Sequence, residues 1–286
     1  MAFLIVVGTY AAAGLGAALT AIAGADLHPL VTTLSADVAA TVVVFAASMM
    51  ARNASLYDPY WSVAPPVIAV AWVLLVGGGV PGRQLLVVAL ILIWAVRLTA
   101  NWVSTWHGLR HEDWRYVQLR QQTNGKLPWW LVNLFGIQLM PTLVVFAGLL
   151  PVWPALTGPG RPLGALDVVA AALTLAAIGL ETAADAQLHR FAADPANHGQ
   201  IMDRGVWRFS RHPNYLGEIG FWWGMWLFGV AAAPGWWWTV LGPLVMVVLF
   251  VGASIPLMDK RSLARRPGYA EHMRRVPALL PRPWRP

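Results

Sequence analysis

Residues 84–106 read QLLVVALILIWAVRLTANWVSTW, a run of 23 residues in which Arg97 is the one charge. As a helix it rises about 35 Å, enough to cross the roughly 30 Å hydrocarbon layer of a bilayer. A helix on a soluble protein needs a polar face along its length toward water, and one charge in 23 residues does not supply it. Outward from it, comparable apolar runs recur at 2–24, 31–51, 62–80, 129–150, 164–190, 216–233 and 236–257. The chain therefore reads as all-α, a polytopic transmembrane helical bundle of eight spans, or seven if one falls short.

The connecting sequence supports this. Asp26 to Pro29 divides the first two runs, Asp58-Pro59 precedes the third, and Gly77-Gly78-Gly79 with Pro81-Gly82 ends it. Pro154 to Pro162 separates the fifth and sixth, and Pro234-Gly235 turns between the last two. Lipid-facing backbone has no water to bond, so such breaks belong at the interfaces. Composition agrees: 58% of residues are hydrophobic and 12% charged, against about 25% charged in soluble domains. The first 24 residues carry no basic n-region and exceed a signal h-region, so they read as a retained span. No internal repeat is evident.

With no cysteine, thiolate nucleophiles, disulfides and zinc–thiolate sites are excluded. The net charge of +7 sits beside the spans, which suits anionic lipid or a phosphorylated cofactor better than nucleic acid. If the C-terminus is cytosolic and the spans alternate, seventeen of the twenty basic residues fall on the cytosolic side, including Arg282 and Arg285. Arg83 and Arg161 fall opposite, and Arg97 lies within a span. That asymmetry predicts a cytosolic face at 107–127, 191–215 and 258–286.

Candidate chemistry gathers near that face. An ionisable residue inside a span is costly and marks function by default; Arg97 shares a helical stripe with Trp94, Asn101 and Thr105, as anchor or as partner in a structural ion pair. Glu181, Asp185 and His189 recur every four residues on one face, suited to hydrogen bonding a ribose or adenine, less to metal. In Tyr57-Asp58-Pro59-Tyr60-Trp61, the bland role of Asp58 is to cap the following helix. The segment 107–126, with His111-Glu112-Asp113-Trp114-Arg115-Tyr116, alternates in sign like an internally paired loop. Between 203 and 218, Arg204, Arg208, Arg211 and His212 precede a helix N-terminus, a combination that suits phosphate. A Rossmann fingerprint is absent: Gly14-Leu15-Gly16 lies inside the first span with no third glycine.

WRFSRHPNYLGE at 207–218 closely resembles the signature of membrane proteins related to steroid 5α-reductase, in particular the bacterial subgroup called the DUF1295 family. The likeness runs from about Asp58 to Pro281. It takes in Glu112 to Tyr116, the run from Phe191 to Asp203, Ile255-Pro256-Leu257 and Arg266-Pro267-Gly268-Tyr269-Ala270. It implies residues 1–55 as additional N-terminal spans and 56–286 as the reductase-like membrane domain. The wider superfamily holds NADPH-dependent sterol reductases and S-adenosylmethionine-dependent isoprenylcysteine and phospholipid methyltransferases. The Asn214-Tyr215-Leu216-Gly217-Glu218 continuation favours the reductases.

The resemblance implies NADPH-dependent reduction of a conjugated C=C in a steroid-like or other lipid enone. Tyr57 or Asp58 would be the acid that polarises the carbonyl. Asn214 and Glu218 would meet the nicotinamide, Glu181 and Asp185 the adenosine portion. Arg97, Arg115, Tyr116, Arg208, Arg211, His212, Tyr215 and Tyr269 would complete the cofactor site. The implied setting is the bacterial inner membrane, with lipid substrate from the bilayer and neither metal nor nucleic acid bound. A lipid methyltransferase of the same fold is the alternative, and a non-catalytic lipid-binding or transport protein the second. This chain has Trp94 near the family's carbonyl-polarising tyrosine and Glu181 where an asparagine is expected.

Overall fold

The computed structural model describes residues 2–281; Arg282 and Arg285, counted above with the basic C-terminus, lie outside the described residues. Those residues form helices joined by turns and irregular segments, with no strand among them. The helices are α1 (Ala2–Ala23), α2 (Pro29–Ala51), α3 (Ala54–Val76), α4 (Pro81–Thr105), α5 (Trp114–Thr123), α6 (Trp129–Leu149), α7 (Val152–Thr157), α8 (Ala165–Ala193), α9 (Pro213–Ala232), α10 (Pro234–Arg265) and α11 (Tyr269–Arg275). Seven of them, α1 to α4, α6, α8 and α10, are long and apolar enough to cross a membrane. The chain is built as an integral membrane protein.

The eighth expected span, 216–233, is α9. It is 20 residues long but is not among the seven. Asn214, Glu218 and a series of glycines and tryptophans lower its hydropathy. The reason such a helix is tolerated lies in its packing: twelve of its residues are buried. A helix enclosed by protein need not be greasy all round.

Contacts divide the chain into two compact units. One comprises the residues up to Gly77 with Trp94–Phe146; the other comprises Gly78–Ile93 and the chain from Ala147 onward.

In the first unit, Ala13, Ala40, Val44, Tyr57 and Tyr60 form an apolar core across α1, α2 and α3. Buried polar groups accompany it. Thr41 and Thr142 hydroxyls lie 2.8 Å apart, Tyr60 Oη donates to Asp37 Oδ1 at 2.6 Å, and Gln138 Nε2 donates to Ser48 Oγ at 2.8 Å. Without water, side chains of neighbouring helices must satisfy one another.

In the second unit, small residues let α9 lie close against α8. A Cβ on Gly217 would stand 2.8 Å from Ala177 O and would collide with Glu181. Arg83 fixes the far end of this unit. It is 1% exposed, donates to both oxygens of Asp167 at 2.7 and 2.9 Å, and also donates to Arg161 O and Pro162 O. Asp167 in turn accepts from Gly164 N at 2.9 Å, capping α8. One of the two basic residues read as lying opposite the cytosol is thus a fully bonded interior group.

Candidate functional site

The sequence-derived residues fall into two groups, one in each unit. In the first unit the site is built where α3 begins. The chain from Asn53 to Asp58 is tied to the segment 109–116 almost residue by residue. Asn53 Nδ2 donates to Leu109 O at 2.8 Å and His111 O at 3.0 Å. Ala54 N donates to Glu112 Oε1 and Asp113 N to Ser55 Oγ, each at 2.8 Å. Tyr116 Oη donates to Asp58 Oδ1 at 2.5 Å.

The segment after His107 pairs internally, as its alternating charges imply. Arg115 grips Asp113 at 2.9 and 3.0 Å, and Arg120 reaches Glu112 at 3.0 Å. It is more than a loop, however. Asp113 caps a ten-residue helix, α5, by accepting from Arg115 N. Arg120 also lies 4.3 Å over the Trp129 ring.

This geometry separates the two candidates for the acid. Tyr57 is 1% exposed, stacked on Tyr60, with its hydroxyl 2.7 Å from Thr142 Oγ1. It belongs to the core. Asp58 is half-buried. Its expected role as a helix cap is overturned: the α-helical part of α3 starts at Tyr60, its N-cap is Pro59, and no side chain caps it. The 3₁₀ turn at Ala54–Tyr57 delays the helix, so the carboxyl turns to Tyr116 instead. Tyr116 is itself driven well above the usual phenol range by burial and by the charge of Asp58 beside it.

Arg97 is half-buried in α4, one turn beyond the fully buried Trp94.

In the second unit, Asp259 is the hub. Arg211 donates to its two oxygens at 3.4 and 2.8 Å, His212 Nε2 lies 3.0 Å from Oδ1, and Tyr269 Oη donates to Oδ1 at 2.7 Å. Arg211 Nη1 also donates to Val276 O at 2.5 Å, while the Arg211 and His212 backbone amides donate to Pro277 O and Ala278 O. Three residues expected around the cofactor, Arg211, His212 and Tyr269, are thereby engaged in holding 207–213, α10 and the C-terminal segment together.

Asp259 escaped the sequence reading. It had a signal: it is the single acidic residue between Glu218 and Glu271, set directly before Lys260 and Arg261. A lone carboxylate at a basic helix end asks for an arginine partner.

Other expected residues are placed more diversely. Glu218 is buried and accepts from Trp222 Nε1 at 2.9 Å, one turn on. Tyr215 stacks on His212 at 5.3 Å and meets Phe250 at 4.8 Å. Asn214 is half-buried in the first turn of α9. Arg208 is exposed and lies 4.3 Å over Phe209. The stripe of Glu181, Asp185 and His189 grades from buried through half-buried to exposed. Among the described residues no group of three His, Asp or Glu side chains is arranged to hold a metal ion.

Tyr269 provides a test of this hub. Burial, then the hydrogen bond to Asp259 and its charge, push the phenol up to about 12. An unfolded tyrosine ionises near 10. A phenol harder to ionise when folded contributes stability that is fully present below pH about 10 and is lost as pH rises toward 12. The melting temperature in detergent should therefore fall faster from pH about 9.5 to 11.5 in the wild type than in Tyr269→Phe. Equal slopes would show that the phenol carries no such linkage.

The fold and these two groups of residues define a polytopic helical membrane protein with bonded polar clusters at the ends of its helices. The chain belongs to the family described as "Protein of unknown function (DUF1295)", which matches residues 44–276. It is also similar to an uncharacterized protein of Schizosaccharomyces pombe, 28% identical over 283 residues, covering 90% of this chain and 81% of the relative. That relative is a yeast protein, so the likeness is not confined to bacteria. No solved structure matches the chain.

Proposed function

We propose that the protein is an NADPH-dependent reductase of a conjugated C=C bond in a lipid-like enone, with its cofactor face in the cytosol. The observation that carries this reading is Asp58: a half-buried carboxyl at the start of a span, released from helix capping and held by hydrogen bonding. Such a group suits general-acid work on a substrate carbonyl.

When bound, NADPH supplies the hydride. Its phosphates need fixed cations. The Arg211 guanidinium is occupied by Asp259 and backbone carbonyls, so its part is to fix the segment that opens α9. Arg204 and Arg208 are exposed, their guanidinium groups lying 5.8 Å over Phe191 and 4.3 Å over Phe209; they fit the phosphates better. Asn214, in the first turn of the rigidly held α9, fits a carboxamide. Asp58 gives its proton to the oxygen on which negative charge develops, stabilising the enolate. The lipid enters from the bilayer.

Calorimetry on detergent-purified protein decides the cofactor. Saturable NADPH binding, weakening with salt because the arginines are solvated, is expected. Binding of S-adenosylmethionine with no response to NADPH would instead indicate a lipid methyltransferase, and silence with both a binding protein.

A further inference from the structure

We propose that Tyr116 is a positioning residue that acts through Asp58, holding its carboxyl and stabilising the carboxylate left when it gives up its proton; this rests on the reductase reading. The resemblance placed Tyr116 in the cofactor site. The geometry points elsewhere, since its hydroxyl is spent on Asp58 Oδ1 at 2.5 Å.

A latch for the 109–116 segment is the plainer role, but that segment is already anchored. Asn53, Ala54 and Ser55 bind it through four bonds of 2.8 to 3.0 Å that do not involve Tyr116. The neighbouring cation is also informative. Arg115 is next in sequence and would be the natural partner of a structural carboxylate, yet its guanidinium grips Asp113 in a two-pronged pair. Asp58 feels the Arg115 charge, but the hydrogen bonds to its carboxyl come from neutral hydroxyls, Tyr116 at 2.5 Å and Ser55. A permanent ion pair would lock the carboxylate in its charged form; a phenol supports the carboxylate and still lets it take up and give up a proton.

The chemistry balances. Hydride adds to the β-carbon, the C=C π pair moves through the conjugated system to the carbonyl oxygen, and the Asp58 O–H bond breaks to protonate that oxygen. The enol returns to the ketone by moving the proton from oxygen to the α-carbon. Asp58 recovers its proton from solvent. Throughout, the Tyr116 hydroxyl keeps the carboxylate hydrogen-bonded.

The test is Tyr116→Phe, assayed with NADPH and a panel of steroid and isoprenoid enones. A fall in kcat of about 10- to 100-fold is expected, with KM for NADPH unchanged. In an Asp58→Asn background the same change should have no further effect, because the group it acts through is gone. Glu112→Gln loosens the segment without touching the pair and should leave kcat near wild type. Equal losses in both backgrounds, a loss expressed in KM for NADPH, or a Glu112→Gln variant as slow as Tyr116→Phe would each overturn the proposal. Should the wild type reduce no enone with NADPH, the reductase reading fails. The pair is then judged by infrared spectroscopy: the carboxyl band absent from Asp58→Asn must move in Tyr116→Phe, and an unmoved band sinks it.

Discussion

Asp259→Ala is expected to destabilise the protein by about 3–5 kcal/mol, the cost of removing one partner from a buried ion pair. The Arg211–Asp259 pair is nearly enclosed, with both side chains 8% exposed. Alanine would leave the Arg211 charge without its counter-ion and remove the acceptor of the Tyr269 hydroxyl and the partner of His212 at once. Asp259→Asn keeps an oxygen at the centre while losing the charge, and should cost less. Thermal unfolding in detergent, followed by tryptophan fluorescence, reads the difference. A loss below about 1 kcal/mol for alanine would mean that the hub is a surface-like pair of small value. The tie between 207–213 and the C-terminal segment should loosen in parallel, visible as faster protease cleavage after 275.

Asp58→Asn is expected to lower kcat by roughly 10²- to 10⁴-fold, the range for loss of a general acid, with NADPH affinity little changed. An interaction made mainly in the transition state appears in turnover rather than in binding. Tyr57→Phe separates the two neighbours. It removes the hydroxyl bonded to Thr142 in the core, so it should reduce stability by about 1 kcal/mol and leave turnover per folded molecule intact. Wild-type turnover in Asp58→Asn would remove the acid from the mechanism. A collapse of turnover in Tyr57→Phe alone would return the role to the tyrosine.

The membrane bundle was legible in the sequence because burial in lipid is written residue by residue. Every backbone group in the bilayer must be bonded within its own helix, and every lipid-facing side chain must be apolar. Runs such as 84–106 therefore announce themselves without a neighbour. The same logic marks its limit at α9. Its buried residues face protein, and protein accepts Glu218 and Trp222 as lipid does not.

The family segments were legible as well, since 207–218 is a contiguous motif. What those side chains do was not. Arg211 before a helix N-terminus looks like a phosphate ligand in one dimension. Only the fold brings Asp259, 48 residues later, to within 2.8 Å. Asp58 before Pro59 looks like a helix cap, until a 3₁₀ turn shifts the helix start and Tyr116, 58 residues away, arrives with its hydroxyl. The sequence by itself determined which stretches, α9 apart, are long and apolar enough to cross a membrane and which residue types stand at their ends. The tertiary structure alone decided which of those groups are spent on one another. Hydropathy is a property of a segment, whereas a hydrogen bond needs two atoms placed within about 3 Å, and distant helices supply the second atom only once they are packed.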